Sequence, residues 1–235
     1  MPDQKTHVGI VIDTSTSMSN IWNEAFDGLK QVITDLQGKG DEAGAFFLTV
    51  VPFSGSVPEV LPAEKTPIDD LDVEEVFGGL EPRGWTALND GIGRLLEVLM
   101  KDDDGETAFL VYIMTDGEEN SSQKFTTEEI KAQIAKLSEK GCWTISFVGC
   151  NQIAENTAGA YAIQGDNALS FASDAQGTRR AMVALRGVTQ HYVAGREAGE
   201  MMATGALFSA EVKSFVADDD EEEKTFWETA KNDSD

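Results

Sequence analysis

The sequence predicts an open, doubly wound α/β sheet, Rossmann-like and mostly parallel, with helices on both faces. Three observations predict it. Short apolar runs rich in β-branched residues, such as HVGIVID, AFFLTVVPF and AFLVYIMT, read as strands buried on both faces. Amphipathic segments with apolar residues at helical spacing separate these runs. Strands that alternate with helices pair in parallel through right-handed crossovers.

The elements follow in order. His7–Asp13 is the first strand. Met18 to Leu36 is helical, with Ala25, Leu29, Val32 and Leu36 on one face, Ser17 or Ser19 as a cap, and the glycines of QGKG as its stop. Ala45 to Phe53 is the second strand, and a short one is expected at Val57 to Leu61, held to an edge by its prolines. A turn-rich connection with a short helix over Val73 to Phe77 leads to a helix over Ala87 to Met100. Ala108 to Thr115 carries the strongest strand signal. Thr127 to Lys140 is an amphipathic helix, Trp143 to Val148 a buried strand, Asn151 to Ala162 a weak helix and Ala168 to Phe171 a short strand. A long helix runs from Ala175 to about Gly199.

A chain of 235 residues, 41% hydrophobic and 26% charged, suits one domain with a sizeable core. The expected layout is a domain over 1–200, an extension over 201–216 and an acidic tail over 217–235 that does not pack. That tail, ADDDEEEKTFWETAKNDSD, solubilises the chain or serves as a short acidic-aromatic recognition element. The net charge is -24, from 42 acidic and 18 basic residues, which disfavours nucleic acid and anionic membranes as partners. Cys142 and Cys150 bracket one strand, too far apart for a disulfide, and read as reduced packing residues. No 18-residue apolar run and no apolar leader occur, so a soluble cytoplasmic protein is expected.

Chemistry gathers at three predicted strand ends. In DTSTS the alternate side chains of Asp13, Ser15 and Ser17 can converge past the end of the first strand. GWTALND places Thr86 in the loop before a helix. TDGEEN ends the strongest strand at Asp116, followed by a glycine. Hydroxyls and carboxylates without histidine or cysteine form a hard oxygen environment, suited to Mg²⁺, Mn²⁺ or Ca²⁺ rather than zinc or copper. Each piece also has a local reading: serine or threonine as a helix cap, and Asp116 as a turn residue.

Taken together, DTSTS, GWTALND and TDGEEN resemble the von Willebrand factor A domain family over about Val8 to Gly199. The resemblance implies a doubly wound sheet with one antiparallel edge strand and a metal-ion-dependent adhesion site. Asp13, Ser15 and Ser17 match its Asp-x-Ser-x-Ser motif, Thr86 its threonine and Asp116 its second aspartate. In that family the cation keeps one coordination position for a carboxylate of a protein partner. Two residues depart from the pattern. Thr16 stands where the family often has glycine, and Trp85 where a small residue is usual. Trp85 either offers an apolar contact at the binding face or folds back on a loop, and Glu118, Glu119 and Asn120 are further candidates for partner contact or for a solvated loop.

The function expected is therefore a metal-dependent protein-binding module, with Mg²⁺ the foremost cation. The resemblance also suggests a stand-alone bacterial or phage protein, an adaptor to an AAA+ ATPase of the MoxR type, or a component of a stress-response system. The alternative is a structural component of a larger assembly such as a virion. A metal-dependent phosphohydrolase using Asp13 would need a second acid two residues on and a basic residue for the phosphate; the loops supply only Arg83. No enzyme is expected.

Overall fold

β1 (Lys5–Asp13) owes its central position to its composition: every residue after Lys5 is buried, so both of its faces are covered. The structure, a computed structural model, describes residues 4–39, 43–150, 153–200 and 207–217. The other strands are β2 (Ala45–Phe53), β3 (Ala63–Pro67), β4 (Ala108–Thr115), β5 (Trp143–Cys150) and β6 (Ala168–Phe171). They form one sheet in the order β3-β2-β1-β4-β5-β6. β1 pairs in parallel with both β2 and β4, and β3 is the antiparallel edge.

Around the sheet lie α1 (Trp22–Leu36), α2 (Val73–Gly78), α3 (Leu88–Leu99), α4 (Thr127–Ser138), α5 (Ile153–Ala160), α6 (Ala175–Glu197) and α7 (Ala210–Ala217). Side chains alternate across a strand, so β1 feeds two cores. Val8, Ile10 and Ile12 join Leu29 and Ile33 of α1 and Leu185 of α6 on one face. Val11 joins Leu95 and Leu99 of α3 and Ile134 of α4 on the other. Each such side chain contributes roughly 1.5–3 kcal/mol by leaving water.

α1 and α6 approach closely at Gly28. A Cβ there would lie 2.2 Å from Cγ of Met182 and 2.4 Å from its Cβ. Gly28→Ala gains about 1 kcal/mol of helix propensity but forces the two helices apart, which costs about 1–3 kcal/mol. The expected net result is a lower urea midpoint; an unchanged or higher midpoint would show that the contact yields without cost.

Two expectations change, and the extension gains a structure. Val57 to Leu61 is not a strand. Pro58 interrupts it and Pro62 follows it, Val60 is 85% exposed, and the edge strand begins only at Ala63. Its sequence, AEKTP, carries no alternation to find, because an edge strand here needs only its backbone. Ser17 and Ser19 do not cap α1, whose N-cap is Ile21 with no side-chain bond; a 3₁₀ turn over Thr16–Asn20 intervenes. The extension over 201–216 is partly helical: Val212, Phe215 and Val216 of α7, with Phe208 before it, pack into the core beside α6. Eight residues are too few to display a period. α7 closes at Ala217; Met201, Met202 and the tail from Asp218 lie outside the described residues.

Cys142 and Cys150 are free and buried. Among the described residues no helix is long and apolar enough to cross a membrane.

Candidate metal centre

Strand order reverses between β1 and β4: the chain leaves β1 to build β2 on one side and returns to place β4 on the other. The carboxyl ends of these two strands open the crevice where such sheets bind ligands. Asp13 ends β1 and Asp116 follows β4, so the topology joins two pairs far apart in sequence, Asp13–Thr115 at 102 positions and Ser17–Asp116 at 99.

The five sequence-predicted residues do converge. Asp13 is fully buried; its Oδ1 accepts from the Ser15 amide at 2.6 Å and its Oδ2 from Thr115 Oγ1 at 2.6 Å. Ser17 Oγ donates to Asp116 Oδ1 at 2.6 Å and lies 2.9 Å from Ser15 Oγ. Having given its proton to Asp116, the Ser17 oxygen accepts from Ser15. Thr86 closes the ring across Gly117, where a Cβ would sit 3.3 Å from Thr86 Oγ1 and 3.6 Å from Ser17 Oγ. Glycine leaves that space open between the two hydroxyls.

Neither hydroxyl serves as a helix cap. α3 starts from Ala87 with no side-chain cap of its own. The Asn89 amide is met instead by Glu119 Oε2 at 2.7 Å. The local rules that would use Ser17 and Thr86 as caps are thus set aside in favour of the strand-end cluster.

Supporting residues hold the loops in place, and their long-range partners leave no signal in the sequence. Thr115 is buried, donates to Asp13, and accepts from the Gly117 amide at 3.1 Å. Asp90 is buried at the start of α3, and its carboxylate accepts from the amides of Gln123, Lys124 and Phe125 at 2.9–3.0 Å. The charge suits the positive end of α3. Glu119 and Asn120, considered for the partner face, have their polar atoms engaged inside the loops. Glu119 Oε1 accepts from Ser121 and Ser122 at 2.9 and 2.7 Å, and Asn120 bridges both the amide and the carbonyl of Thr86 at 2.9 and 3.0 Å. Glu118 and Asn120 are both exposed, while Glu119 is half-buried.

Trp85 is 71% exposed, and one edge of it lies beside the neighbouring loop at Gly55, where a Cβ would sit 3.8 Å from its Cδ1. Its loop is nevertheless held firmly. The Thr16 amide donates to Gly84 O at 3.2 Å, Arg83 N to Thr14 O at 2.7 Å and Ala87 N to Ser54 O at 2.6 Å. Thr16 adds Oγ1 to Gly84 O at 3.2 Å, so the departure from glycine ties the first loop to the tryptophan loop.

Burial, with Asp116 nearby, pushes the Asp13 carboxyl up to about 6, against the downward pull of its Thr115 and Ser15 hydrogen bonds. Burial likewise raises Asp116. Among the described residues neither carboxylate pairs with a lysine or arginine. No three His, Cys, Asp or Glu side chains converge among the described residues, so the cluster is two carboxylates and three hydroxyls. Uncompensated negative charge in an all-oxygen pocket fits a hard divalent cation.

The model of the von Willebrand factor type A domain matches residues 7–181. No curated protein matches the chain in sequence. Among solved structures, proximal thread matrix protein 1 from the mussel byssus superposes with a TM-score of 0.60 at 15% identity, over 79% of this chain and 46% of that one. The form of that protein described as having a zinc-occupied MIDAS motif gives 0.55 at 18% identity, over 81% and 45%. The vWF domain of the type V pili tip protein Mfa5 from Porphyromonas gingivalis gives 0.59 at 12% identity, over 81% of this chain and 96% of that one. The chain spans less than half the length of the mussel protein.

Proposed function

The chain belongs to the von Willebrand factor type A domain family, and from that membership we propose that it is a metal-dependent protein-binding module. Asp13, Ser15, Ser17, Thr86 and Asp116 hold a divalent cation, Mg²⁺ foremost, with Mn²⁺ or Ca²⁺ as substitutes. The bound cation supplies an electrophilic position for a carboxylate of the partner. The chain's own residues do the rest. Asp13 anchors the first loop, Thr115 orients Asp13, and the Ser17 and Thr86 hydroxyls offer neutral oxygens that leave the cation's charge largely unquenched.

One observation carries this reading: two hydroxyls released from helix capping face each other across Gly117, beside two carboxylates with no cationic partner among the described residues. Trp85 and Glu118 form the outward rim, and Trp85 offers the partner an apolar contact beside the acid. The reading is one of binding, not turnover. Its cellular setting, from the family resemblance, is an adaptor to an AAA+ ATPase of the MoxR type.

Calorimetry with Mg²⁺, Mn²⁺, Ca²⁺ and Zn²⁺, followed by a short glutamyl peptide as carboxylate probe, tests the proposal. Mg²⁺ should bind the wild type, and the peptide should bind only when the metal is present. Ser17→Ala and Thr86→Ala should each weaken Mg²⁺ by about tenfold or more, the loss of roughly 1.4 kcal/mol. Equal peptide binding in EDTA would refute it.

A further inference from the structure

We propose that the acidic-aromatic segment directly after α7, Asp218 to Glu228, is an occupant of the strand-end face of its own chain. It offers a carboxylate to the site and its Phe226–Trp227 pair to Trp85. The proposal rests on the cation-holding reading above and adds a competitor built into the same molecule.

The direction of α7 carries the argument. Phe208, just before it, donates its amide to Asp166 O at 2.9 Å, and Lys213 Nζ reaches Gly165 O at 2.6 Å. Gly165 and Asp166 precede β6, at the amino end of that strand. At the other end of α7, Phe215 O accepts from Arg180 at 2.9 Å, and the Arg180 guanidinium lies 5.6 Å from the Phe215 ring. Arg180 sits in the second turn of α6, which starts just past the carboxyl end of β6. α7 therefore climbs alongside β6 toward the face that holds Asp13 and Asp116. An eight-residue helix rises about 12 Å, comparable to the length of a four-residue strand. Ala217 thus delivers the following residues to the side of the molecule where the site opens.

The reach suffices. β6 and β1 are three strand spacings apart, about 14 Å. Phe226 is nine residues past Ala217, a span of up to about 30 Å. The chemistry matches as well. DDDEEEKTFWE supplies carboxylates on both sides of an aromatic pair, and the site presents an acid-seeking pocket beside a tryptophan that is 71% exposed on a pinned loop. In a protein of net charge -24, docking this run elsewhere would set carboxylates against carboxylates, whereas a bound divalent cation cancels the charge of Asp13 and Asp116 locally and offers a ligand position to an incoming acid. A short tether gives an effective concentration of the order of millimolar, so a partner's acid must outcompete an occupant of that strength.

Lys224 lies inside the segment and makes it a tryptic reporter in the full-length chain. Cleavage after Lys224 would be followed by mass in Mg²⁺ and in EDTA, normalised to a small arginyl substrate. Thermal unfolding in the same buffers reports whether Mg²⁺ binds. The expected result is cleavage on the order of tenfold slower in Mg²⁺, as a cis affinity of ~0.1 mM would give at that effective concentration, and independent of protein concentration. Trp85→Ala should recover most of the EDTA rate in Mg²⁺ while keeping the Mg²⁺ thermal shift. Asp13→Asn should cleave at the EDTA rate in both buffers. A thermal shift with equal cleavage rates would overturn the occupant and leave the metal site standing. Absence of both effects would overturn the two together. Protection that persists in Asp13→Asn would place Mg²⁺ on the segment's own charges, and protection that grows with concentration would place the segment on a second copy; either result defeats the proposal.

Discussion

Asp13→Asn is expected to stabilise the metal-free protein at pH 7.5 while abolishing its response to Mg²⁺. Burial holds the Asp13 carboxyl at about 6 in the fold against an ordinary 3.8. Between those values the folded chain binds more protons than the unfolded one. Metal-free stability therefore falls as pH rises through that window and stays low above it, by roughly 3 kcal/mol at neutral pH. Asparagine keeps an acceptor for the Ser15 amide and presents an N–H that Thr115 Oγ1 can accept, but it carries no charge. With weaker hydrogen bonds offsetting part of the gain, about 1–2 kcal/mol remains, a rise of about 3–6 °C in the unfolding midpoint in EDTA. The difference from wild type should shrink by pH 4.5, where Asp13 is protonated anyway. The wild-type Mg²⁺ shift should likewise fade as pH drops through about 6. A lower midpoint for Asp13→Asn in EDTA at pH 7.5 would show that the buried charge is not a cost to the fold.

Asp90→Ala is expected to damage the site without removing any residue that faces the cation. Three loop amides converge on that one carboxylate, all within a part-buried turn. Alanine leaves them without acceptors, and each unsatisfied group costs about 1–3 kcal/mol, less what water recovers. A net loss of about 3 kcal/mol is expected in urea unfolding. The turn over 122–125 belongs to the connection that carries Asp116 and Asn120, so Mg²⁺ affinity should fall by about tenfold, as outer supports of metal sites typically cost. Asp90→Asn should recover part of both effects, because one carboxamide oxygen can still take the Lys124 and Phe125 amides. Wild-type Mg²⁺ affinity in a folded Asp90→Ala chain would show that the turn does not position the site.

The sheet was legible because its strands are buried on both faces and therefore nearly all apolar. β1, β2, β4 and β5 stand out from any polar connection. β3 was not legible, since AEKTP pairs through its backbone and buries little. α7 was hidden by its length. At the site, the five converging residues are chemically conspicuous; Asp13, Ser15, Ser17 and Asp116 lie at the ends of β1 and β4, as the alternation of elements implies, while Thr86 follows no strand and sits just before α3. The supports are not conspicuous. Thr115 looks like one more β-branched strand residue, and Asp90 like an acid in a helical first turn. Glu119 and Asn120 read as solvated polar residues because their bonds reach 30 and 34 positions along the chain. A local pattern holds no trace of such partners.

Four connections among the site loops run through main-chain atoms alone. Arg83 to Thr14, Thr16 to Gly84, Ala87 to Ser54 and Asn120 to Thr86 are all amide-to-carbonyl bonds. Bonds of that kind ask nothing of the side chains they pass beneath. The outward residues at 83, 85 and 118 can therefore be rewritten by mutation without loosening the socket below them. A lineage, or an engineer, is free to exchange the rim for a new client while the grip on the ion is inherited unchanged.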